Sequence, residues 1–483
     1  MEIMIAAVMI GLMLALLAGG VWIGLALMAI GILGMLGFTP RAPGDGMAVA
    51  IWSHGSSWTL TALPLFLWMG EILFRTKLSE DMFKGLSPWL ERLPGRLLHT
   101  NIIGCTLFAA VSGSSAATCA TIGKIALPEL ERRGYPESMA LGTLAGAGTL
   151  GLLIPPSIIM IVYGVAADVS ISKLFIGGVL PGILLATLFM GWVVVWSLMN
   201  PGKIPAADLK TTFVEKLAAS KNLIPVILLI GGVLGSIYSG IATATEAAAI
   251  GVIGSLIIAA SQRTLNRKSF FGALMGATRL YCMIALILAG SAFLTLAMGY
   301  IGLPRHLAEW IGALGLSPAM LLVALAIFYI LLGCFLDGIS IVVLTMAVLM
   351  PTIQSAGIDP LWFGIFVVVV VEMAQVTPPV GFNLFVLQGL TGRDMTVIAR
   401  YALPYFLLMV VAVVLLYTFP GLVTWLPGHM IGGCREPPPE LTRRAWMPRL
   451  RMARRRVRPR TPRPPASHAR WLRAGRRAPR RSG

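Results

Sequence analysis

Two stretches decide the fold: Gly148-Thr-Leu-Gly-Leu-Leu-Ile-Pro-Pro-Ser157 and Gln375-Val-Thr-Pro-Pro-Val-Gly-Phe-Asn383. Each sets a pair of prolines inside a long apolar run, 138–163 in one case and 361–389 in the other. Adjacent prolines remove two backbone donors, and Pro155 pushes Ile154 out of the helical region, so a helix through either run must unwind. The two pairs are 223 residues apart, and the same offset relates Pro128 to Pro351 and Pro181 to Pro404. Four prolines at one offset, in surroundings of like hydropathy, mark an internal repeat. Chance agreement among 31 prolines is the competing explanation, and four matching offsets are hard to obtain that way.

Of the 483 residues, 57% are hydrophobic and 12% charged, and the mean hydropathy is +0.84. A soluble domain carries about 25% charge. So little charge excludes a water-soluble enzyme and leaves a polytopic membrane protein. The net charge of +18 is concentrated at one end. Residues 435–483 hold 17 Arg against Glu436 and Glu440, while the body has 21 basic and 18 acidic residues. A nucleic-acid partner is therefore not implied. The five cysteines have no CxxC spacing, and four lie in apolar stretches as small packing residues. The five histidines are scattered without a metal-binding pattern.

Hydropathy predicts spans at 3–18 and 21–37, turning at Gly19-Gly20, and a third at 58–74. An amphipathic stretch, 75–98, suits the membrane interface. Block 100–127 is interrupted by Ser112-Gly-Ser-Ser115 and reads as a re-entrant hairpin. The broken helix 138–163 and span 174–199 follow. A polar connector with four lysines leads to spans 223–239, 241–260 and 280–300, then an amphipathic stretch at Pro304–Leu316. Block 317–350 is interrupted at Asp337-Gly-Ile-Ser340, 361–389 is broken, and 402–425 ends the body.

Placing the N-terminus outside puts 75–98, 128–137, 200–222, 261–279 and 390–401 in the cytoplasm with 17 basic residues, against Arg41 and Arg305 outside. That bias fits the positive-inside rule. The first hairpin then enters from the cytoplasm and the second from outside, so the halves are inverted repeats. The fold expected is an all-α membrane protein: first repeat 1–199, cytoplasmic connector 200–222, second repeat 223–427, and a disordered Arg/Pro-rich tail at 428–483. Inverted repeats with paired broken helices point to a secondary transporter. Unwound carbonyls can bind a cation, and half-helix N-termini can face an anion. No Walker A motif is present.

Five segments resemble the large permease subunit of the tripartite ATP-independent periplasmic (TRAP) transporters of the C4-dicarboxylate type. They are Ser112-Gly-Ser-Ser-Ala-Ala-Thr118, Gly148–Ser157, Thr243-Ala-Thr-Glu-Ala-Ala-Ala249, Phe335-Leu-Asp-Gly-Ile-Ser340 and Gln375–Asn383. The resemblance covers residues 1 to about 430. It implies an elevator-type, sodium-driven importer of organic acids in the bacterial inner membrane. It also implies two partners, a small four-span membrane subunit and a periplasmic substrate-binding protein. No cofactor is implied beyond sodium as coupling ion.

Ser112 and Ser115 at the first tip, facing Gly151, Ile154 and Pro156 at the first break, are candidate sodium ligands, because a hard cation suits hydroxyl and carbonyl oxygens. Adding 223 carries the break to Ala374, Thr377 and Pro379, facing Gly338 at the second tip, as a second candidate site. Close helix packing is the plainer role of such small residues. Ser114, Thr118, Ser340 and Asn383 are candidates to hold a substrate carboxylate. Asp337 and Glu372 are acids at apparent membrane depth and hence functional suspects. Either can neutralise a cation or take a proton, and Asp337 can instead simply cap a half-helix. Glu246 can tie spans together by hydrogen bonds.

A single-component sodium:anion symporter needing no partners is the alternative reading. An embedded enzyme would need a catalytic cluster, and His54, His99 and His306 all sit at span edges. The tail either contacts anionic lipid or a partner, or is an unstructured extension such as an out-of-frame read of a gene end. Its lack of apolar periodicity favours the extension. Deleting 435–483 is therefore expected to leave membrane insertion and uptake nearly unchanged. Loss of uptake by the truncated chain in an otherwise intact system would give the tail a role.

Overall fold

A computed structural model describes residues 2–205, 212–302, 317–333, 336–379 and 381–430. The amphipathic stretch expected at Pro304–Leu316 lies outside the described residues, and so does the tail from 431 onward. Every described element is helical.

The first half comprises α1 (Glu2–Ala18), α2 (Ile23–Phe38), α3 (Pro43–Gly55), α4 (Ala62–Phe74), α5 (Leu78–Leu90), α6 (Leu97–Ser112), α7 (Ser115–Arg132), α8 (Glu137–Gly148), α9 (Leu150–Leu153), α10 (Ile158–Ala166) and α11 (Ile171–Met199). After α12 (Phe213–Ser220), the second half runs through α13 (Ile224–Tyr238), α14 (Ala244–Ser261), α15 (Arg267–Ile301), α16 (Pro318–Gly333), α17 (Gly338–Ser355), α18 (Pro360–Gln375), α19 (Phe382–Thr391), α20 (Met395–Thr418) and α21 (Gly421–Met430). The proline offset reappears in the element boundaries. Helix α7 begins at 115 and ends at 132, and α17 begins at 338 and ends at 355, each 223 residues on. Likewise α8 begins at 137 and α18 at 360.

Four expectations need correction. The stretch before the third span holds a helix, α3, bent by 56° from the following Trp58–Phe74 segment. Pro43 at its first position and Asp45 in its first turn are ordinary helix-start signals. The region 261–279 is mostly the start of α15, whose 35 residues extend about 52 Å, longer than a bilayer core, so Arg267 and Lys268 can stand in the headgroup layer. The connector contains α12, opened by a capping box in which Thr212 and Glu215 satisfy each other's backbone N–H. Finally, 402–425 is two helices: α20 stops at Thr418 before Pro420, and α21 continues to Met430, three residues into the presumed tail.

Contacts sort the helices into two packed groups. In one, α15 packs along α2, α3 and α4, and α14 packs on α4 and α13. Glycine lets α2 and α15 touch backbone to backbone, since a β-carbon on Gly290 would lie 2.5 Å from the Gly24 carbonyl oxygen. In the other group, α6, α7 and α8 pack together, α19 lies on α7, α20 on α8, and α18 on α16 and α17. Helices α4 and α15 reach the second group through α6 and α17, and Ser291 Oγ donates to the Val343 carbonyl at 2.7 Å.

Candidate functional site

The site grows from the first hairpin tip. Helix α6 stops where Gly113 takes a φ of +60°, and its N–H returns to the Ala109 carbonyl. That left-handed conformation favours glycine. Ser114 then takes an extended conformation and caps α7, its side chain accepting from the Ala117 N–H. Thr118 Oγ1 donates to the Ser114 carbonyl at 2.8 Å and lies 2.7 Å from Ser112 Oγ, so the polar side chains of the tip bond among themselves.

The tip sits on the first break. The chain leaves the helix at Ile154 (φ −85°, ψ 125°), and Ser157 caps α10 while its hydroxyl donates back to the Leu152 carbonyl. The Ile158 N–H donates to the Gly113 carbonyl at 3.4 Å. A β-carbon on Gly151 would lie 2.6 Å from Ser115 Cα and 2.7 Å from the Ser114 carbonyl oxygen. One on Gly113 would lie 2.8 Å from the Pro156 carbonyl oxygen. The structure thus brings Ser114 and Ser115 against Gly151, and Gly113 against Pro156, by backbone contact, with Ser112 next to Gly113 and Ile154 at the start of the break.

The second tip repeats the arrangement with a different cap. Asp337, 223 residues after Ser114, caps α17 by accepting from the N–H groups of Ile339 and Ser340 at 3.1 and 3.3 Å. The Ser340 hydroxyl donates to the other carboxylate oxygen. Asp337 therefore does what a cap does, and Ser340 is engaged with it. A β-carbon on Gly338 would lie 2.7 Å from Val371 Cγ1 and 3.4 Å from Ile159 Cδ1. The second tip thus meets α18 just before its break and α10 just after the first break. Thr377 Oγ1 donates to the Met373 carbonyl at 2.7 Å, and a β-carbon on Gly333 would lie 2.2 Å from Ala374 Cβ. Pro379 follows Thr377 closely in the break, and the Pro155-Pro156 and Pro378-Pro379 bonds are both cis.

One residue crosses between the halves. Glu372 of α18 is fully buried, and its Oε1 accepts from the Ser115 hydroxyl and from the Leu152 N–H, the latter at 3.2 Å. A cavity of about 260 Å³ opens beside the first tip, lined by Ser112, Ser114, Gly70, Glu71, Ile158 and Ile339 among others. It touches both hairpins and both helix groups. Thr118 is buried within the first hairpin and Asn383 lies against Gly148, so neither lines this cavity. Glu71 was not anticipated, although an acid inside an apolar span is a usable signal. It accepts from Arg75 at 3.4 Å, and Arg75 also donates to the Gly272 carbonyl of α15. A larger cavity of about 640 Å³ lies between Lys124, Glu131, Glu137 and Arg393, and contains none of the anticipated site residues. Glu246 closes a capping box with Thr243 at the start of α14 rather than joining two spans.

Residues 10–422 match the family model described as "Tripartite ATP-independent periplasmic transporter, DctM component". The chain belongs to this family. It is 34% identical over 401 residues to the C4-dicarboxylate TRAP transporter large permease protein DctM of Pseudomonas aeruginosa, covering 83% of this chain and 93% of that protein. It is 31% identical to the protein of the same name from Rhodobacter capsulatus, covering 88% and 99%. Another relative, 32% identical over 82% of this chain, is the isethionate TRAP transporter permease protein DctMQ of Oleidesulfovibrio alaskensis, of which 62% is covered. Among solved structures, the YdaH transporter of Alcanivorax borkumensis shares the fold with a TM-score of 0.56 at 15% identity, covering 78% of this chain and 87% of that one. Among the described residues five helices are long and apolar enough to cross a membrane, and up to eight when bent pairs are joined, so the chain is a multi-pass TRAP permease subunit.

Proposed function

We propose that this permease imports a small organic acid, coupled to sodium, from a periplasmic binding protein across the bacterial inner membrane. The observation that carries the reading is the junction of two hairpin tips with two helix breaks beside one cavity. Oxygens of Ser112, Ser115, Gly151, Ile154 and Pro156 form the first ion site. Those of Gly338, Ala374, Thr377 and Pro379 form the second. Each break leaves carbonyls without helical partners, which suits a hard cation. The substrate carboxylate lies beside Ser114 and the N-terminus of α7, where helix dipole and free N–H groups favour an anion. Thr118, Ser340 and Asn383 shape the surrounding tips, and Asp337 holds the second tip closed. The bland role of these residues, tight packing alone, does not account for the cavity beside the first tip.

The two halves, 1–199 and 223–427, are inverted repeats, and the group containing both hairpins slides as an elevator against the group built on α2, α4, α14 and α15. Relatives named for C4-dicarboxylates, isethionate and 2,3-diketo-L-gulonate support an acidic substrate. A small four-span subunit and a binding protein complete the system, as the tripartite family name and the DctMQ relative suggest. The test is reconstitution in proteoliposomes of this chain alone, with the small subunit, and with both the small subunit and the loaded binding protein. Uptake is expected only from the full set. Equal uptake by this chain alone would replace the reading by a self-sufficient symporter.

A further inference from the structure

Glu372 is left over by the sites just described. It is fully buried in α18, a helix whose residues from Trp362 to Gln375 are all buried. Its Oε1 is occupied by Ser115 and by the Leu152 N–H, but its Oε2 is buried with no hydrogen-bond partner. No Lys, Arg or His bonds to it among the described residues. A carboxylate in such a place carries a large desolvation penalty unless a cation joins it or a proton neutralises it. The open oxygen lies where three elements meet: the start of α7, the turn α9 and the second half's α18. The first two supply the first ion site.

We propose that Glu372 Oε2 is an anionic ligand for a monovalent cation at this junction, so that the second half contributes a full charge to the ion site of the first. The inference rests on the sodium-coupled reading above. Cation occupancy then bonds α18 to the first tip and first break at once, joining the hairpin of one half to the broken helix of the other. A cation bound there is held by one charged oxygen and by neutral oxygens of the tip.

Glutamine separates ligation from mere positioning. Its Oε1 can still accept from Ser115 and Leu152, while its amide NH2 cannot bind a cation. The full chain would be purified with its small subunit, and binding of radioactive sodium would be measured directly. E372Q is expected to raise the half-saturating sodium concentration at least about tenfold, and to lose the rise in melting temperature that sodium gives the wild type. E372D, which keeps the charge but withdraws it by one methylene, is expected to fall between the two. It also serves if the glutamine variant does not fold. Wild-type sodium affinity in folded E372Q, or in E372D where only that folds, overturns the assignment and leaves Glu372 a positioning residue. Wild-type uptake that ignores sodium overturns instead the coupled-transport reading, which keeps the two failures distinguishable.

Discussion

Gly151→Val is expected to abolish uptake while the subunit still inserts and remains folded. A β-carbon at this position would lie 2.6 Å from Ser115 Cα and 2.7 Å from both the carbonyl carbon and the carbonyl oxygen of Ser114. These are backbone atoms, which cannot step aside as a side-chain end can. Either the first tip lifts away from the first break, or the strain is spread through the buried core around Leu150 and Leu153. Overpacking of this kind costs about 1–3 kcal/mol, too little by itself to unfold a large bundle. Separating the tip from the break would, however, dismantle the proposed first ion site and shift Glu372 from Ser115. Uptake in proteoliposomes and the melting temperature of the purified protein check both halves of the statement. Wild-type uptake by a folded Gly151→Val chain would mean that the tip and the break need not touch.

Thr377→Ala and Ser112→Ala are expected each to raise the sodium concentration for half-maximal uptake, by about tenfold if the lost oxygen contributes roughly 1.4 kcal/mol. Thr377 Oγ1 gives its proton to the Met373 carbonyl, and its lone pairs remain free to face an ion. Ser112 Oγ lies at the tip beside Thr118 and also lines the cavity. Neither change alters the prolines of the breaks. Ser255→Ala is the control, because its buried hydroxyl bonds only the Val252 carbonyl of its own helix. Sodium curves measured on equal amounts of folded protein decide the matter. Unshifted curves for both site variants would move the ions elsewhere and leave the helix breaks to substrate contact or hinge motion.

Much of this architecture was legible because proline acts locally. Pro155-Pro156 and Pro378-Pro379 break a helix whatever surrounds them, and their 223-residue offset returned in the boundaries of α7 and α17. The serine and glycine tips were legible for a similar reason, since Gly113 needs a positive φ and Ser114 a cap position. The start of α3 and the start of α15 were both read as loops. They stand at equivalent places in the two halves, and both begin with polar or small residues that dilute the hydropathy signal. Capping boxes at Thr212–Glu215 and Thr243–Glu246 were present in the sequence as Thr-x-x-Glu, and the first would have revealed α12.

The site was less legible than the fold. Serine and glycine spacing placed Ser112, Ser115 and Gly151 near one another, but nothing in the spacing could show that Glu372 crosses 257 positions to reach Ser115. Asp337 was open between a ligand and a cap in the sequence, and its bonds to Ile339 and Ser340 give it the geometry of a cap. Asn383 was grouped with the substrate because it follows the second break, yet it lies against Gly148 with both side-chain polar atoms buried and without partners. Such contacts depend on how helices cross, which composition does not encode.

The most direct test of the account is the ion dependence of uptake by the complete system. Proteoliposomes holding this chain and its small subunit would receive the loaded binding protein under an inward sodium gradient, with a matched potassium gradient as the comparison. Uptake driven by sodium and absent with potassium is the result predicted by two tip-and-break ion sites. Equal uptake under both gradients would contradict it.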